Sequence, residues 1–197
     1  MPEIAFIMGK SSSGKDKLFK ALSEDEELNL QKVIPYTTRP MRVGEKQGVE
    51  YNFVTDAQAD EMLAAGRVIE MRTYNTVHGV WKYFTADDGQ IELGRNRYII
   101  IGTLEAYEKF LKYFGKEHLL PIYIETEDAV RLQRAMKREA KQAEPDYAEM
   151  CRRFLADCED FSEENINKCG ISRRFYNNGE LEDCLNEIKE AIKADMG

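Results

Sequence analysis

The sequence predicts an α/β fold in which helices cover a mainly parallel β-sheet. Strand-like and helix-like segments alternate along the chain, as expected when helical crossovers join parallel strands. The apolar segment 4–8 leads through a glycine-bounded loop into the helix-like segment 17–22. A second run, residues 98–101, is rich in β-branched side chains and is followed by Gly102, which favours a buried strand.

Further elements follow in the first half of the chain. Residues 33–36 have the composition of a short extended segment. Thr55 and Gln58 have the spacing of a capping box, in which each side chain satisfies the backbone N–H of the other residue. The helix that begins there is expected to end at Gly66, because glycine readily takes the left-handed conformation that closes helices.

The second half continues the alternation. Residues 68–73 are predicted to be extended, 104–114 helical and 119–124 a buried strand, and another helix is predicted to start at Asp128. A last helix is marked by four apolar residues at helical spacing: Leu181, Leu185, Ile188 and Ile192.

Composition indicates one globular domain. The chain has 197 residues, 43% of them hydrophobic and 32% charged, which is enough to bury a sizeable core. No apolar run is long enough to cross a bilayer and no secretory signal is visible, so we expect no membrane partner. The cysteines lack the spacing of a metal site and are interpreted as free thiols in a reducing cytoplasm. They are Cys151, Cys158, Cys169 and Cys184.

The charge pattern favours small anionic ligands over nucleic acid. A net charge of −8 argues against a broad nucleic-acid surface. Basic residues nevertheless gather locally, and such clusters suit ligands that carry phosphate. The clusters are Lys10 with Lys15, Arg39 with Arg42, and Arg131, Arg134, Arg138, Arg152 and Arg153.

From Gly9 to Lys15 the chain fits the pattern Gly-x-x-x-x-Gly-Lys of a phosphate-binding loop. In such loops backbone N–H groups and a helix N-terminus surround the phosphates of a nucleotide, and the lysine reaches the outer ones. A strand before and a helix after supply the required context, so we prefer this interpretation to an ordinary turn. Asp16 stands where a hydroxyl residue is usual. Its carboxylate is a candidate Mg²⁺ ligand, and without a metal it would repel the phosphates.

The helix from Asp128 has two contrasting faces. One carries Ala129, Leu132, Met136 and Ala140, and the opposite one carries Arg131, Arg134 and Arg138. A solvated basic face is the ordinary explanation for an isolated helix. Because this helix follows a phosphate loop and precedes a polar segment, we favour a mobile lid whose arginines close over the transferred phosphate.

Residues 36–54 closely resemble the acceptor-binding segment of guanylate kinases, Thr-Thr-Arg-x-x-Arg-x-Gly-Glu-x-x-Gly-x-x-Tyr-x-Phe. The phosphate loop, residues 68–70, the pair His78-Gly79, the arginine-bearing helix and residues 175–178 extend the resemblance over nearly the whole chain. It implies a three-layer P-loop NTPase fold in a single domain. The implied core comprises residues 1–35, 92–137 and 155–197, with an acceptor-binding subdomain at 36–91 and a lid at 138–154.

The resemblance implies a kinase of purine nucleotide metabolism that transfers the γ-phosphoryl group of ATP to GMP, with Mg²⁺ as cofactor. The implied GMP-binding residues are Arg39, Arg42, Glu45, Tyr51, Glu70 and His78. The implied ATP-binding residues are Gly9, Lys10, Ser11, Ser12, Ser13, Gly14, Lys15, Asp16 and Asn177. The implied catalytic residues are Lys15, Arg39, Arg42, Arg134, Arg138 and Arg153, and the implied metal ligand is Asp16.

Residue chemistry agrees with these assignments. Arginine and tyrosine donors suit the dianionic phosphate of the acceptor, and a carboxylate such as Glu70 accepts from both N1–H and the amine of guanine. A surface carboxylate is the ordinary alternative for Glu70. We expect a cytoplasmic monomer or homodimer that binds no nucleic acid.

The sequence departs from the guanylate kinase pattern at three further places. Pro35 replaces a base-contacting serine and has no donor, and His78 stands where a tyrosine precedes glycine. Residues 101–103, Ile-Gly-Thr, replace an Asp-x-Asp motif. The Gly-Lys-Asp ending of the loop also resembles ribose 1,5-bisphosphate phosphokinases, which are the alternative enzyme. A non-catalytic guanylate-kinase-like binding module is a further alternative, although such modules have lost the phosphate loop.

Overall fold

A computed structural model describes residues 1–76 and 79–197 of the chain and has the predicted α/β architecture. The strands in these residues are β1 (Ile4–Met8), β2 (Leu30–Lys32), β3 (Tyr36–Thr37), β4 (Asn52–Phe53), β5 (Val68–Thr76), β6 (Gly79–Ala86), β7 (Arg97–Ile101), β8 (Leu119–Glu125) and β9 (Arg174–Tyr176). The α-helices are α1 (Lys15–Ser23), α2 (Asp56–Ala64), α3 (Leu104–Phe114), α4 (Asp128–Glu139), α5 (Tyr147–Asp160), α6 (Glu163–Lys168) and α7 (Leu181–Met196). None of them combines the length and apolarity that a bilayer crossing requires.

The main sheet has the order β2-β7-β1-β8-β9, and all of its strand pairs are parallel. Its central strand β1 is fully buried and apolar throughout, as expected for a strand with helices on both faces. Phe6 packs on one side against Tyr107 and Phe110 of α3. On the other side Ile7 belongs to the core formed with α1 and α7. The loop after β1 therefore lies at the carboxyl end of the sheet's central strand, where ligands of parallel sheets bind.

A second, smaller sheet has the order β4-β3-β6-β5. Phe84 and Ala86 of β6 pack against Ala59 and Met62 of α2. Side chains alternate between the faces of a strand, so neighbours of Phe84 point the other way. That opposite face carries two cross-strand pairs, Glu70 with Thr85 and Arg72 with Tyr83. We call it the cleft face, defined by Glu70, Arg72, Tyr83 and Thr85.

Local sequence signals fix several element boundaries. The predicted capping box is present, with Gln58 N–H donating to Thr55 Oγ1 at 3.2 Å and Thr55 N–H to Gln58 Oε1 at 2.9 Å. The helix ends before Gly66, whose φ is 68°. Helix 104–114 is confirmed at both ends.

The prediction of one extended segment at 33–36 is wrong. Strand β2 ends at Lys32, and β3 begins at Tyr36 in the other sheet. Between them Val33 N–H still donates to Ile99 at 3.0 Å, but Ile34 N–H donates to the side chain of Gln90 at 2.7 Å. Pro35 has no N–H to continue a ladder, so the chain leaves the main sheet here.

Gly102, at the end of β7, has no room for a side chain. A Cβ there would lie 2.6 Å from the ring of Phe6, which is fully buried and held between two aromatic rings. We expect Gly102→Ala to lower the free energy of unfolding by about 1–3 kcal/mol through overpacking. Chemical denaturation measures the change. Gly179→Ala, where a Cβ meets nothing within 4 Å, is the matched control. Equal stability of the two variants would contradict the packing described here.

Candidate active site

The phosphate loop, residues 9–15, joins β1 to α1 and is closely fitted to its surroundings. A Cβ on Gly9 would lie 2.7 Å from the carbonyl oxygen of Ile124 in the neighbouring strand β8. Gly14 has a φ of 91°, and a Cβ there would lie 2.3 Å from Nδ2 of Asn177. Both positions therefore require glycine. Ser12 has a φ of 64°, a left-handed conformation that is uncommon for a residue with a side chain.

Several polar groups of the loop are available to an anion. Within the described parts of the chain, the hydroxyl oxygens of Ser12 and Ser13 are buried without a hydrogen-bond partner. Helix α1 begins at Lys15 with no side chain capping its first N–H groups. Buried polar atoms are nearly always paired, so unpaired ones in a loop of this shape indicate a ligand-binding site. Phosphate oxygens fit both the hydroxyl groups and the helix N-terminus.

Helices α4 and α5 hold Ser11 of this loop by both of its backbone groups. Ser11 N–H donates to Asp157 of α5 at 2.8 Å, and Ser11 C=O accepts from Nε of Arg131 at 3.1 Å. Arg131 also bonds Asp128 at 2.5 Å and stacks on Phe154 at 4.5 Å. We call Arg131 and Asp157 the Ser11 clamp. It ties the phosphate loop to α4 and α5.

This placement of Arg131 corrects the predicted faces of α4. Arg131 is 0% exposed, whereas Leu132 and Met136 of the predicted apolar face are 38% and 51% exposed. The helix turns Arg131 inward because α5 and the loop offer a carboxylate, a carbonyl and an aromatic ring to its guanidinium. Arg134 is half-buried and Arg138 is exposed, so this face is only partly solvated.

The other predicted lid arginines lie around the phosphate loop. Arg134 donates to the carbonyl oxygen of Asn177 at 3.0 Å. Arg138 and Arg153 line one crevice together with Ser11 and Ser12. A larger cavity of about 610 Å³ beside the loop contains Arg134 and Arg138 again. Its remaining lining includes Lys17, Lys137 and Lys141, so this cavity is strongly cationic.

Asn177 holds the phosphate loop in place through its side chain and its backbone carbonyl group. Its side chain is buried and donates to the carbonyl oxygen of Ser13 at 2.6 Å. Its own carbonyl oxygen accepts from Thr126 at 3.3 Å and from Arg134. Asn177 therefore connects β9, the loop and α4 at the edge of the large cavity.

A second cationic region, apart from the phosphate loop and its cavity, is built around the ion pair of Arg39 and Glu45. Arg39 is 4% exposed and donates to both carboxylate oxygens of Glu45, at 2.7 and 2.6 Å. This guanidinium lowers the pKa of Glu45 to about 2. Glu45 also accepts from Arg42 N–H at 2.8 Å, while the Arg42 side chain is exposed. Arg39 stacks 5.1 Å from the ring of Tyr51, so the predicted acceptor residues 39, 42, 45 and 51 lie together.

Tyr83 lies beside the predicted acceptor residues and was not predicted from the sequence. Its ring lies 5.7 Å from Tyr51 and 5.6 Å from Tyr74, in edge-to-face contacts, and it faces Arg72 across the β5–β6 pair. The resemblance assigned the tyrosine role to His78, which lies outside the described residues. Tyr83 can be identified only from the pairing register of β5 with β6. That register places Tyr83 and Thr85 on the same face as Glu70 and Arg72.

Glu70 is a buried carboxylate rather than the surface alternative. It is 4% exposed and accepts from Thr85 Oγ1 at 3.1 Å and from Arg72 Nε at 3.2 Å. Burial raises the pKa of Glu70 above its ordinary 4.5. A buried carboxylate with a raised pKa on a cleft face is typical of a functional site.

Thr103, in the segment that replaces the Asp-x-Asp motif, has a structural role. It caps α3 by accepting from Ala106 N–H at 3.2 Å.

Asp16, the predicted metal ligand, is exposed and lies 3.7 Å from the Lys15 ammonium group. Within the residues that the structure describes, no three His, Cys, Asp or Glu side chains are grouped to hold a metal ion. A Mg²⁺ ion bound to a nucleotide keeps phosphate and water ligands and needs only one or two carboxylates, so Asp16 fits a metal that arrives with its nucleotide.

Comparisons with known proteins find similar sequences and a similar fold. A family model described as guanylate kinase matches residues 2–195. The chain is 27% identical over 199 residues to the guanylate kinase of Mycoplasma mobile, covering 98% of this chain and 94% of that protein. It is 33% identical over 112 residues to that of Oceanobacillus iheyensis, covering 54% of this chain and 53% of the relative. A crystal structure of guanylate kinase from Anaplasma phagocytophilum has a similar fold, with a TM-score of 0.60 at 20% identity over 98% of this chain and 86% of that one.

Removing one member of the Ser11 clamp should be costly. Asp157→Ala leaves the buried Arg131 with fewer carboxylate partners and Ser11 N–H without its acceptor. We expect a loss of about 2–4 kcal/mol in the free energy of unfolding, measured by chemical denaturation. The double variant Arg131→Leu/Asp157→Ala should recover at least half of it, because a buried ion pair is replaced by apolar groups.

The matched control for Asp157→Ala is Glu149→Ala. Glu149 pairs with Arg152 on the exposed side of the same helix, so its loss is expected to cost under about 1 kcal/mol. If the two single variants lose equal stability, the Ser11 clamp does not have the role described.

Proposed function

The chain belongs to the guanylate kinase family, and we propose that its two cationic regions bind ATP and GMP in one cleft. As a guanylate kinase it transfers the γ-phosphoryl group of ATP to GMP, giving ADP and GDP. The site assignment rests on one observation. The same chain contains a phosphate loop with Lys15 and a second anion site built around Arg39. A module that only binds a protein ligand needs neither of them.

On the donor side, the loop would hold the phosphates of ATP. The backbone N–H groups at the start of α1 and the hydroxyl groups of Ser12 and Ser13 are the unpaired donors there. Lys15 would reach the outer phosphates. Asn177 would act by holding the loop, because its side-chain amide is bound to Ser13. The cationic cavity beside the loop would take the remainder of the nucleotide.

On the acceptor side, Arg42, Tyr51 and the free protons of Arg39 would bind the GMP phosphate. Glu45 would fix Arg39 through its bidentate ion pair. Tyr83 would join this group, since it lies between Tyr51 and Tyr74. Glu70 on the cleft face would accept from N1–H and the amine of guanine, which its ionised form allows.

The transfer itself requires positioning and charge neutralisation. A phosphate oxygen of GMP forms a bond to the γ-phosphorus as the bond between that phosphorus and the β–γ bridging oxygen breaks, so no covalent enzyme intermediate is needed. Arg134, Arg138 and Arg153 would neutralise the charge on the transferred group. Mg²⁺, when bound with ATP and Asp16, would neutralise charge on the phosphates. Closure of the lid at 138–154 onto the acceptor-binding subdomain at 36–91 would exclude water.

The alternative ribose 1,5-bisphosphate phosphokinase is not favoured. The family match covers residues 2–195, and the relatives described above are guanylate kinases. A sugar phosphate without a base would leave the buried Glu70 without a partner in the acceptor. We place the enzyme in the cytoplasm, which agrees with its four free thiols.

A coupled assay of ADP formation tests this function. GMP should be the best acceptor among GMP, dGMP, AMP, UMP and ribose 1,5-bisphosphate. Lys15→Ala should lower turnover by about 10²- to 10³-fold or more, because a cation at the developing charge is removed. Lys20→Ala, an exposed lysine on the same helix, should leave it unchanged. Preference for the ribose compound without turnover of GMP would overturn the assignment.

Glu70 predicts a pH dependence for GMP. Its pKa is raised by burial, so the carboxylate loses its charge at a higher pH than an ordinary glutamate as the solution is acidified. We expect kcat/KM for GMP to fall on that acid limb. Glu70→Gln should lower kcat/KM at neutral pH by about 10-fold or more, because its amide opposes the guanine donors. The Glu70→Gln variant should also lack the part of the fall in kcat/KM at low pH that comes from protonation of Glu70.

Comparing variant and wild type in the same buffers cancels the titration of the GMP phosphate itself. An acid limb that is identical in the two proteins would exclude Glu70 as the residue that reads guanine.

A further inference from the structure

Reading guanine requires a donor from the protein as well as an acceptor. The base presents two donors, N1–H and the 2-amino group, beside one acceptor, O6, whereas adenine carries an amine in place of O6. The inference below rests on the proposed function, because it concerns how the same acceptor site identifies the base of GMP.

Glu70 supplies only the acceptor half of this recognition. Its Oε1 accepts from Thr85 and its Oε2 from Arg72. A carboxylate oxygen accepts more than one hydrogen bond, so both oxygens retain capacity for the two guanine donors. Being acceptor-only when ionised, Glu70 has nothing to offer O6.

The threonine hydroxyl groups on β6 and β3 are already used. Thr85 has a single hydroxyl proton, which it donates to Glu70. Thr37, in the adjoining strand, donates its own to the carbonyl oxygen of Lys82 at 2.9 Å. Pro35, at the position where the family pattern has a serine, has neither a side-chain nor a backbone donor.

Arg72 has donors left over and is suitably placed. It lies two residues after Glu70 on β5 and therefore on the same face. Only its Nε is engaged by Glu70, and its two terminal nitrogens have no hydrogen-bond partner in residues 1–76 and 79–197. Arg72 lines a cavity of about 230 Å³ at the start of α3, whose lining also includes Thr103 and the carboxylates of Glu105, Glu108 and Asp160.

We propose that Arg72 donates to O6 of guanine and is the specificity-determining residue that replaces the serine missing at Pro35. Glu70 and Arg72 then form one recognition pair, whose carboxylate faces N1–H and the amine and whose guanidinium faces O6. With AMP the same guanidinium would face an amine, two donors would oppose each other, and the base would be rejected.

Two simpler roles for Arg72 would give different kinetic results when the residue is removed. As a counterion for Glu70 alone it would keep that carboxylate ionised, so its removal would weaken guanine binding only where Glu70 takes up a proton, and a higher pH would restore base preference. As a ligand of the acceptor phosphate its removal would weaken all monophosphates equally. Its direct bond is to the carboxylate that faces the base, which favours recognition of the base.

Steady-state kinetics of Arg72→Ala with GMP, IMP and AMP tests the proposal. IMP retains O6 and N1–H and lacks only the 2-amino group. We expect kcat/KM to fall by about 10- to 100-fold for GMP and for IMP alike, as for loss of a hydrogen bond from a charged donor. For AMP it should stay constant or rise, so that selectivity for GMP over AMP is lost. Arg72→Gln, which keeps an N–H donor, should restore part of the selectivity.

The control is Arg67→Ala, which removes an exposed arginine one residue before β5 and should leave all three substrates unaffected. Equal losses for GMP, IMP and AMP in Arg72→Ala, unchanged selectivity in it and in Arg72→Gln, or full recovery of selectivity by Arg72→Ala when the pH is raised, overturn the role of Arg72. The wild-type protein provides a test that does not depend on the folding of a variant. Its kcat/KM for IMP should be at least about 10-fold higher than for AMP, and equal values overturn the proposal. Wild-type protein that phosphorylates no GMP overturns the proposed function itself.

Discussion

The backbone of Ser11 is held on both sides by side chains of α4 and α5, and the order of the active site depends on that contact. Asp157 accepts its N–H and Arg131 donates to its C=O, in a place where the guanidinium is fully buried. A buried charge is tolerated only when it is paired, so the helices and the loop stabilise one another's position. The loop thus has its shape before any nucleotide binds, and the helix that carries Arg134 and Arg138 is attached directly to it.

The proposed acceptor site is held together in the same way, by a buried arginine paired with a carboxylate. Arg39 is nearly buried and is fixed by two short bonds to Glu45, and the Arg39 guanidinium lies over the rings of Tyr51 and Phe53. Preformed donors lower the cost of ordering the site when an anion binds. An acidic protein with a net charge of −8 can therefore bind two polyanions, because each cationic cluster is local and is held in place by its own carboxylate.

The fold was largely predictable because its signals are local. The strand–loop–helix unit at the N-terminus, the capping box at Thr55 and the helix 104–114 each depend on residues close in sequence. The buried position of Arg131 was not predictable, since it requires Asp157 and Phe154 from another helix. Tyr83 was missed for a related reason: only the register of β5 with β6 places it on the cleft face. The break at Pro35 required knowing that two separate sheets meet there.

We propose that the phosphate loop and the Arg39 region bind ATP and GMP on opposite sides of one cleft. Titration calorimetry with a compound that joins adenosine and guanosine through five phosphates tests it most directly. If the sites face each other, this compound should bind at least about 100-fold more tightly than ATP alone, because binding at one site raises the effective concentration at the other. Affinity no greater than that of ATP would contradict the account.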